Sequence, residues 1–277
     1  MITVSIWTSA TAMASILPSP IRPEPATRTS WLPLWAMAGA LVVGAWVYLV
    51  VMAWGMAHMD VSGRWVLMPR MTGWTALDLV LVFLMWALMM AGMMLPTVVP
   101  VFRLLRRIDR ADAARACPWC RSAGFALGYL SVWAGFSLGA TLLQWGLLEM
   151  RLVSPMMESA STGLSGVLLV LAGIYQFSPL KNACLQRCRS PLSFLMTQRS
   201  DSGFRLGLRQ GSYCAGCCAL LMLLLFVLGV MNLWWIVALT VFVILEKTVP
   251  DARWFSRLSG VGLMAWGAWM LVSGVGV

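Results

Sequence analysis

Charge is scarce in this chain. Only 11 % of its 277 residues are charged, while 60 % are hydrophobic. A soluble domain carries roughly 25 % charged residues, and a soluble core of this length could not hide so much apolar surface. A soluble globular protein is therefore excluded. Histidine is scarcer still, with His58 the sole example. There is no nucleophile triad, no P-loop and no dinucleotide fingerprint, so primary transport driven by ATP in this chain is not expected. No basic residue precedes Arg22, so the basic start of a signal peptide is missing. Residues 1–30, rich in Ser, Thr, Ala and Pro, read as a disordered cytoplasmic tail ahead of a single transmembrane helical domain over 31–277. No internal repeat stands out.

What the chain does have is long apolar runs. About 20 apolar residues cross about 30 Å of hydrocarbon, and backbone inside lipid must satisfy its own hydrogen bonds, so such runs are helices. The expected fold is all-α, a polytopic bundle of about seven spans. They lie near Trp31–Ala57, Leu77–Phe102, Ala123–Leu148, Gly163–Leu180, Cys214–Val230, Leu233–Leu245 and Leu258–Val277. Gly229-Val230-Met231-Asn232 reads as the tight turn between the fifth and sixth.

The net charge of +10 suggests nucleic acid, but its placement argues against that partner. The tail and alternate loops hold 17 of the 20 Lys and Arg residues. Arg64, Arg70 and Arg151 alone fall on the other side. This asymmetry is that of the positive-inside rule. It places the N-terminus in the cytoplasm and the C-terminus outside, in a multi-pass protein of a bacterial inner membrane with lipid as its main partner.

All seven cysteines then fall at or near the cytoplasmic face. They form Cys117-Pro-Trp-Cys120, Cys184-Leu-Gln-Arg-Cys188 and Cys214-Ala-Gly-Cys217-Cys218. The cytoplasm is reducing, so structural disulfides are not expected there, and spaced thiols suggest soft-metal ligands or redox groups. Residues three or four apart share a helix face. Cys184 and Cys188 are so spaced, as is Cys214 with Cys217 and Cys218, so each cluster could offer two thiolates to one ion. A bland alternative stays open, since free cysteine is also a small buried hydrophobe.

Methionine is the second signal, with 21 in the chain. Met85, Met89 and Met93 form one i, i+4 stripe in the second span, and Met90 with Met94 forms another. Thioethers bind Cu(I) and cost little in lipid, though Met also fills irregular helix interfaces. Gly92 and Pro96 could let a neighbouring helix approach or could kink this one. At the outer end stand Met52, Met56, His58 and Met59, with Met150, Met156, Met157 and Met231 in outer loops. Thiols inside, thioethers within and Met with His outside form a gradient along which Cu(I) could move by ligand exchange. Zinc also accepts thiolate; the methionines favour copper.

Ionisable groups within the spans are few. Asp78 and Glu246 sit near span ends, where snorkelling or local pairing is expected, and Glu246 is followed by Lys247. Gln144, Tyr175 and Gln176 are candidates for interhelical hydrogen bonds.

Several stretches together carry a resemblance. They are Met89-Met90-Ala91-Gly92-Met93-Met94-Leu95-Pro96, Gly173-Ile174-Tyr175-Gln176-Phe177-Ser178-Pro179-Leu180-Lys181 and Cys184-Leu185-Gln186-Arg187-Cys188-Arg189-Ser190-Pro191. To these are added Gly207-Leu208-Arg209-Gln210-Gly211-Ser212-Tyr213-Cys214-Ala215-Gly216-Cys217-Cys218, Gly229-Val230-Met231-Asn232, and Leu245-Glu246-Lys247 with Pro250. Over residues 75–272 the chain resembles a bacterial family of predicted metal-binding integral membrane proteins, a domain of unknown function with copper-chaperone-like members. That resemblance implies copper handling, with some relatives associated with copper delivery to tyrosinase-type oxidases. The tail and the Cys117/Cys120 pair are particular to this chain.

Three readings follow. In the first, a non-enzymatic Cu(I) chaperone or transporter, Cys184, Cys188, Cys214, Cys217 and Cys218 capture the ion. Met89, Met90, Met93 and Met94 line an intramembrane site, and Met56, His58 and Met59 release copper to a periplasmic acceptor. In the second, the Cys-x-x-Cys pairs serve a membrane thiol–disulfide oxidoreductase, with a thiol stabilised at a helix N-terminus. In the third the chain is a non-catalytic subunit of a membrane complex. Homo-oligomerisation is left open by all three.

Overall fold

The computed structural model describes residues 32–57, 74–111, 118–150, 162–198, 202–230, 232–249 and 253–274. The tail, Cys117, His58, Met59, Met156, Met157 and Met231 lie outside the described residues, as does the side chain of Met56. All regular structure among the described residues is helical. The helices are α1 (Leu32–Ala57), α2 (Ala76–Ala111), α3 (Pro118–Glu149), α4 (Thr162–Gln176) and α5 (Pro179–Arg189). They continue with α6 (Pro191–Thr197), α7 (Gly203–Leu223), α8 (Leu225–Leu228), α9 (Leu233–Thr248) and α10 (Arg253–Ser273). Met1–Gly39 and Ala40–Val277 form two units, and the helices from α2 onward belong to the second.

Among the described residues, four helices are long and apolar enough to cross a membrane, over Ala36–Gly55, Ala76–Asp109, Cys120–Glu149 and Gly203–Leu228. α4 and α5 pass the same test only together, as a pair bent by 63°. The break has a local cause. Pro179 opens α5 and the Ser178 hydroxyl accepts from Leu180 N at 3.2 Å, so the chain caps a new helix there. α9 has only 16 residues, short of the usual span, and α10 opens on Arg-Trp-Phe-Ser-Arg.

Local chemistry sets the other ends. The Asp78 carboxylate reaches back to cap the start of α2: Thr75 N and Oγ1 donate to it at 2.8 and 2.7 Å. The expected local pairing of Asp78 is thus present. α2 runs on through Pro96 and Pro100. Gly229, with φ at 86°, makes the turn into α9, where Asn232 Oδ1 accepts from Trp234 N at 3.2 Å.

Two helix pairs pack backbone to backbone, α3 on α7 and α4 on α10. A Cβ on Gly207 would lie 2.0 Å from the Phe125 carbonyl oxygen, and one on Gly128 2.2 Å from that of Phe204. In the second pair, a Cβ on Gly173 would lie 2.8 Å from Gly260 O, and one on Gly260 3.0 Å from Gly173 O. Apolar side chains gain little by meeting each other rather than lipid, so small residues that admit a close neighbour drive such contacts. As expected, Gly92 also admits a neighbour, with Ala45 of α1 3.1 Å from where its Cβ would stand.

One expectation is corrected. The fifth apolar run was placed at Cys214–Val230, so that its cysteines opened a helix. Instead α7 begins at Gly203, with Ser202 as its cap. Arg205 and Arg209 end the apolar run, but neither residue breaks a helix. Cys214 therefore stands about three turns inside α7.

Candidate metal site

The site centres on the middle of α7. Cys214, Cys217 and Cys218 are fully buried there, and Met222, one turn further on, is buried with them. Cys214, Cys218 and Met222 repeat at i, i+4, i+8, which places three soft donors on one face. Sequence reading missed Met222 because it belongs to no methionine run; its spacing from the cysteines was the available signal.

α5 brings the second thiol set. Cys184 and Cys188 pack against the core that holds Cys214, Cys217 and Cys218, near enough for charge on Cys217 to act on both. Within α7, the Cys217 and Cys218 thiols donate to the Cys214 carbonyl at 3.0 and 2.9 Å. Two clusters separated in sequence thus become one. Gly216 makes the approach possible, since a Cβ there would lie 2.7 Å from Cys184 Sγ. Tyr175 of α4 donates its hydroxyl to the Gly216 carbonyl, the interhelical bond expected of it. All five thiols are free.

A polar frame surrounds Cys214. Lys247 of α9 donates to Cys214 Sγ at 2.9 Å and to Thr97 Oγ1 at 3.3 Å. Tyr129 of α3 places its hydroxyl 3.1 Å from the same sulfur and 3.2 Å from the Met94 carbonyl. Thr97 also donates to that carbonyl at 2.8 Å. One hydrogen-bond frame therefore joins the methionine helix α2 to the thiols of α7. Met85, Met89, Met90, Met93 and Met94 are all buried in the core, with Trp86 tying α2 to α3 through a 2.7 Å bond to Gln144, again as expected.

Glu246 does pair, but not with its neighbour in sequence. It meets Lys181 of α5 at 2.6 Å and accepts from Ser256 of α10. Lys181 also donates to Gln176. The Glu246 carbonyl takes a 2.9 Å bond from Arg189 Nε. Together these bonds hold the end of α9 against α5, the helix that presents Cys184 and Cys188.

Not every candidate joins the site. Cys120 is exposed in the first turn of α3 and is disulfide-bonded. That corrects the expectation of reduced thiols at this position, where no burial shields the sulfur from oxidation. Among the described residues, no group of three or more His, Cys, Asp or Glu is arranged to hold a metal ion. Zinc, which prefers four such ligands, has no support in this arrangement.

The comparisons with known proteins now bear on this cluster. Residues 83–270 match the family described as PpoB2, copper chaperone. The chain belongs to this copper chaperone family. Neither a curated protein nor a solved structure matches it. The matched segment holds all five free thiols, the buried methionines of α2 and Lys247. Membership gives the chain a copper-related role and points to binding rather than catalysis.

Proposed function

We propose that this chain is a membrane-embedded Cu(I)-binding protein that hands copper to an extracytoplasmic copper protein. The observation that carries the reading is that α5 packs Cys184 and Cys188 against the core holding Cys214, Cys217 and Cys218, with Tyr129 joining Cys214 to the methionine helix. Thiolates and thioethers are soft donors that select Cu(I). A pair of thiolates suffices for Cu(I), which accepts linear coordination. Binding releases the thiol protons.

In this reading the five cysteines capture the ion, and Met89, Met90, Met93 and Met94 accept it within the bundle. Met56, His58 and Met59 release it on the outer side. The topology proposed is seven spans, with α9 and α10 as the last two, in the inner membrane. The N-terminus is cytoplasmic and the C-terminus outside. Support comes from the distribution of basic residues and from outward-facing apolar side chains such as Leu127, Val241 and Val261.

The test is elemental analysis of protein purified anaerobically in detergent, beside the double variant Cys214→Ser/Cys217→Ser. Copper bound by the wild type and lost from a folded variant is the expected result. An unchanged copper content in the folded variant overturns the assignment of these ligands.

A second reading attaches to a different place. The disulfide at exposed Cys120 favours thiol–disulfide exchange at Cys117-Pro-Trp-Cys120. Capture of a mixed disulfide with a client protein through this motif would support it. The buried Cys214-Ala-Gly-Cys217 pair, lying inside α7 rather than at its N-terminus, has neither the helix-end position nor the access that exchange requires.

A further inference from the structure

α9 ends on two adjacent charges that face different partners. Glu246 is spent on Lys181. Lys247 reaches Cys214 Sγ at 2.9 Å and Thr97 Oγ1 at 3.3 Å, with the Tyr129 hydroxyl 3.1 Å from the same sulfur. A partly buried ammonium gains from negative charge close by, and the Cys214 thiol stands within reach to supply it.

We infer that Lys247 is the charge-selecting residue of the site: its ammonium balances a pair of thiolates holding a monovalent ion and so sets the preference for Cu(I) over divalent ions. The inference rests on the thiol site proposed above. The arithmetic is simple. A pair of thiolates carries two negative charges, cancelled by one monovalent ion and one ammonium. The occupied site is then neutral, the state that costs least inside a low-dielectric bundle. A divalent ion held by the same pair leaves a net positive charge. Cu(I) and Ag(I) fit the balance; Zn(II) does not. Lys247 need not touch the ion. It acts through Cys214, which it orients, and through Thr97, which it ties to the Met94 carbonyl.

Replacing the ammonium with a neutral group reverses the sign of the argument. With Lys247→Gln, a monovalent ion leaves the site negative and a divalent ion leaves it neutral. The experiment measures Cu(I) and Zn(II) binding to the detergent-purified full chain by competition with chromophoric chelators. The proteins are the wild type, Lys247→Gln, Lys247→Met and Lys247→Arg, each checked for helicity and monodispersity. The expected result is a fall of about tenfold or more in the Cu(I)-over-Zn(II) preference for both neutral variants, with Lys247→Arg keeping the wild-type preference. Equal weakening of both metals, or an unchanged ratio, overturns the inference, since a merely structural lysine would give that pattern. A wild-type chain that takes up no Cu(I) overturns the thiol site itself. The two failures are thus distinguishable. Should Lys247→Gln fail to fold, the apolar Lys247→Met decides.

Discussion

The two lysines of this molecule invite comparison, because they lie near the same thiols and do different things. Lys181 is wholly inaccessible and is matched by the Glu246 carboxylate at 2.6 Å, with Gln176 completing its shell. Lys247 meets sulfur, a threonine hydroxyl and, among the described residues, no carboxylate at that range. The first pair is closed and joins α5 to α9. The second leaves its charge directed at the cluster that would hold an ion. A buried charge with a fixed partner secures structure, whereas one whose partners can change charge is available to cargo.

The comparison is broken most severely at the closed pair. Glu246→Gln strands the Lys181 ammonium in the core, and losing one partner of a buried pair costs roughly 3–5 kcal/mol. Unfolding of the detergent-solubilised protein, followed by circular dichroism, should show this loss. Lys247→Met should change stability by no more than about 1 kcal/mol, because the neighbouring thiols can stay neutral once the cation has gone. The double change Lys181→Met/Glu246→Leu removes both charges and should recover most of the loss. Equal destabilisation by Glu246→Gln and Lys247→Met would show that the lysines are not of two kinds.

How far all this could be read beforehand follows the range of the interactions. The helices were legible because lipid forces every long apolar run to pair its own backbone. Tyr175 and Gln144 were legible as bonding residues because a polar group in such a run has few alternatives to another helix. The start of α7 was misplaced because hydropathy senses Arg205 and Arg209 while the backbone does not. The partner of Glu246 was invisible: Lys247 is adjacent in sequence, yet the two side chains leave α9 toward different helices. The union of the two thiol clusters depends on the α4–α5 bend and on Gly216, and only three-dimensional packing brings those together. The glycine spacing that closes α3 on α7 was in plain view, at Gly124 and Gly128 and again at Gly203, Gly207 and Gly211, but spacing alone does not name the facing helix.

Gly207→Ala should produce the next largest effect. Its Cβ would meet the Phe125 carbonyl oxygen at 2.0 Å, and backbone cannot rotate away as a side chain can. α3 and α7 would have to part, at a cost of about 1–3 kcal/mol for such overpacking. Because Tyr129 rides on α3 and Cys214 on α7, their 3.1 Å contact would lengthen too. The variant should therefore lose copper affinity together with stability. A variant of wild-type stability would mean that the two helices are not held as closely as these glycines imply.

Gly216→Ala should have the smallest effect on stability and the most local consequence. Its Cβ would crowd the Cys184 sulfur at 2.7 Å, with the Cys184 Cβ in ordinary contact at 3.5 Å, and that sulfur is the free end of a side chain with other rotamers to adopt. Turning that thiol costs about 0.5–1.5 kcal/mol. Replacing a mid-helix glycine with alanine returns about 0.5–1 kcal/mol, so the two nearly offset. What changes is where Cys184 points. Stoichiometric labelling with a thiol reagent should find Cys184 modified several-fold faster than in the wild type, with the melting temperature nearly unmoved. If the thermal stability falls as far as in Gly207→Ala, then α5 is pinned to α7 at this point as tightly as α3 is. Cys184 would then be part of the scaffold and not an adjustable entry ligand.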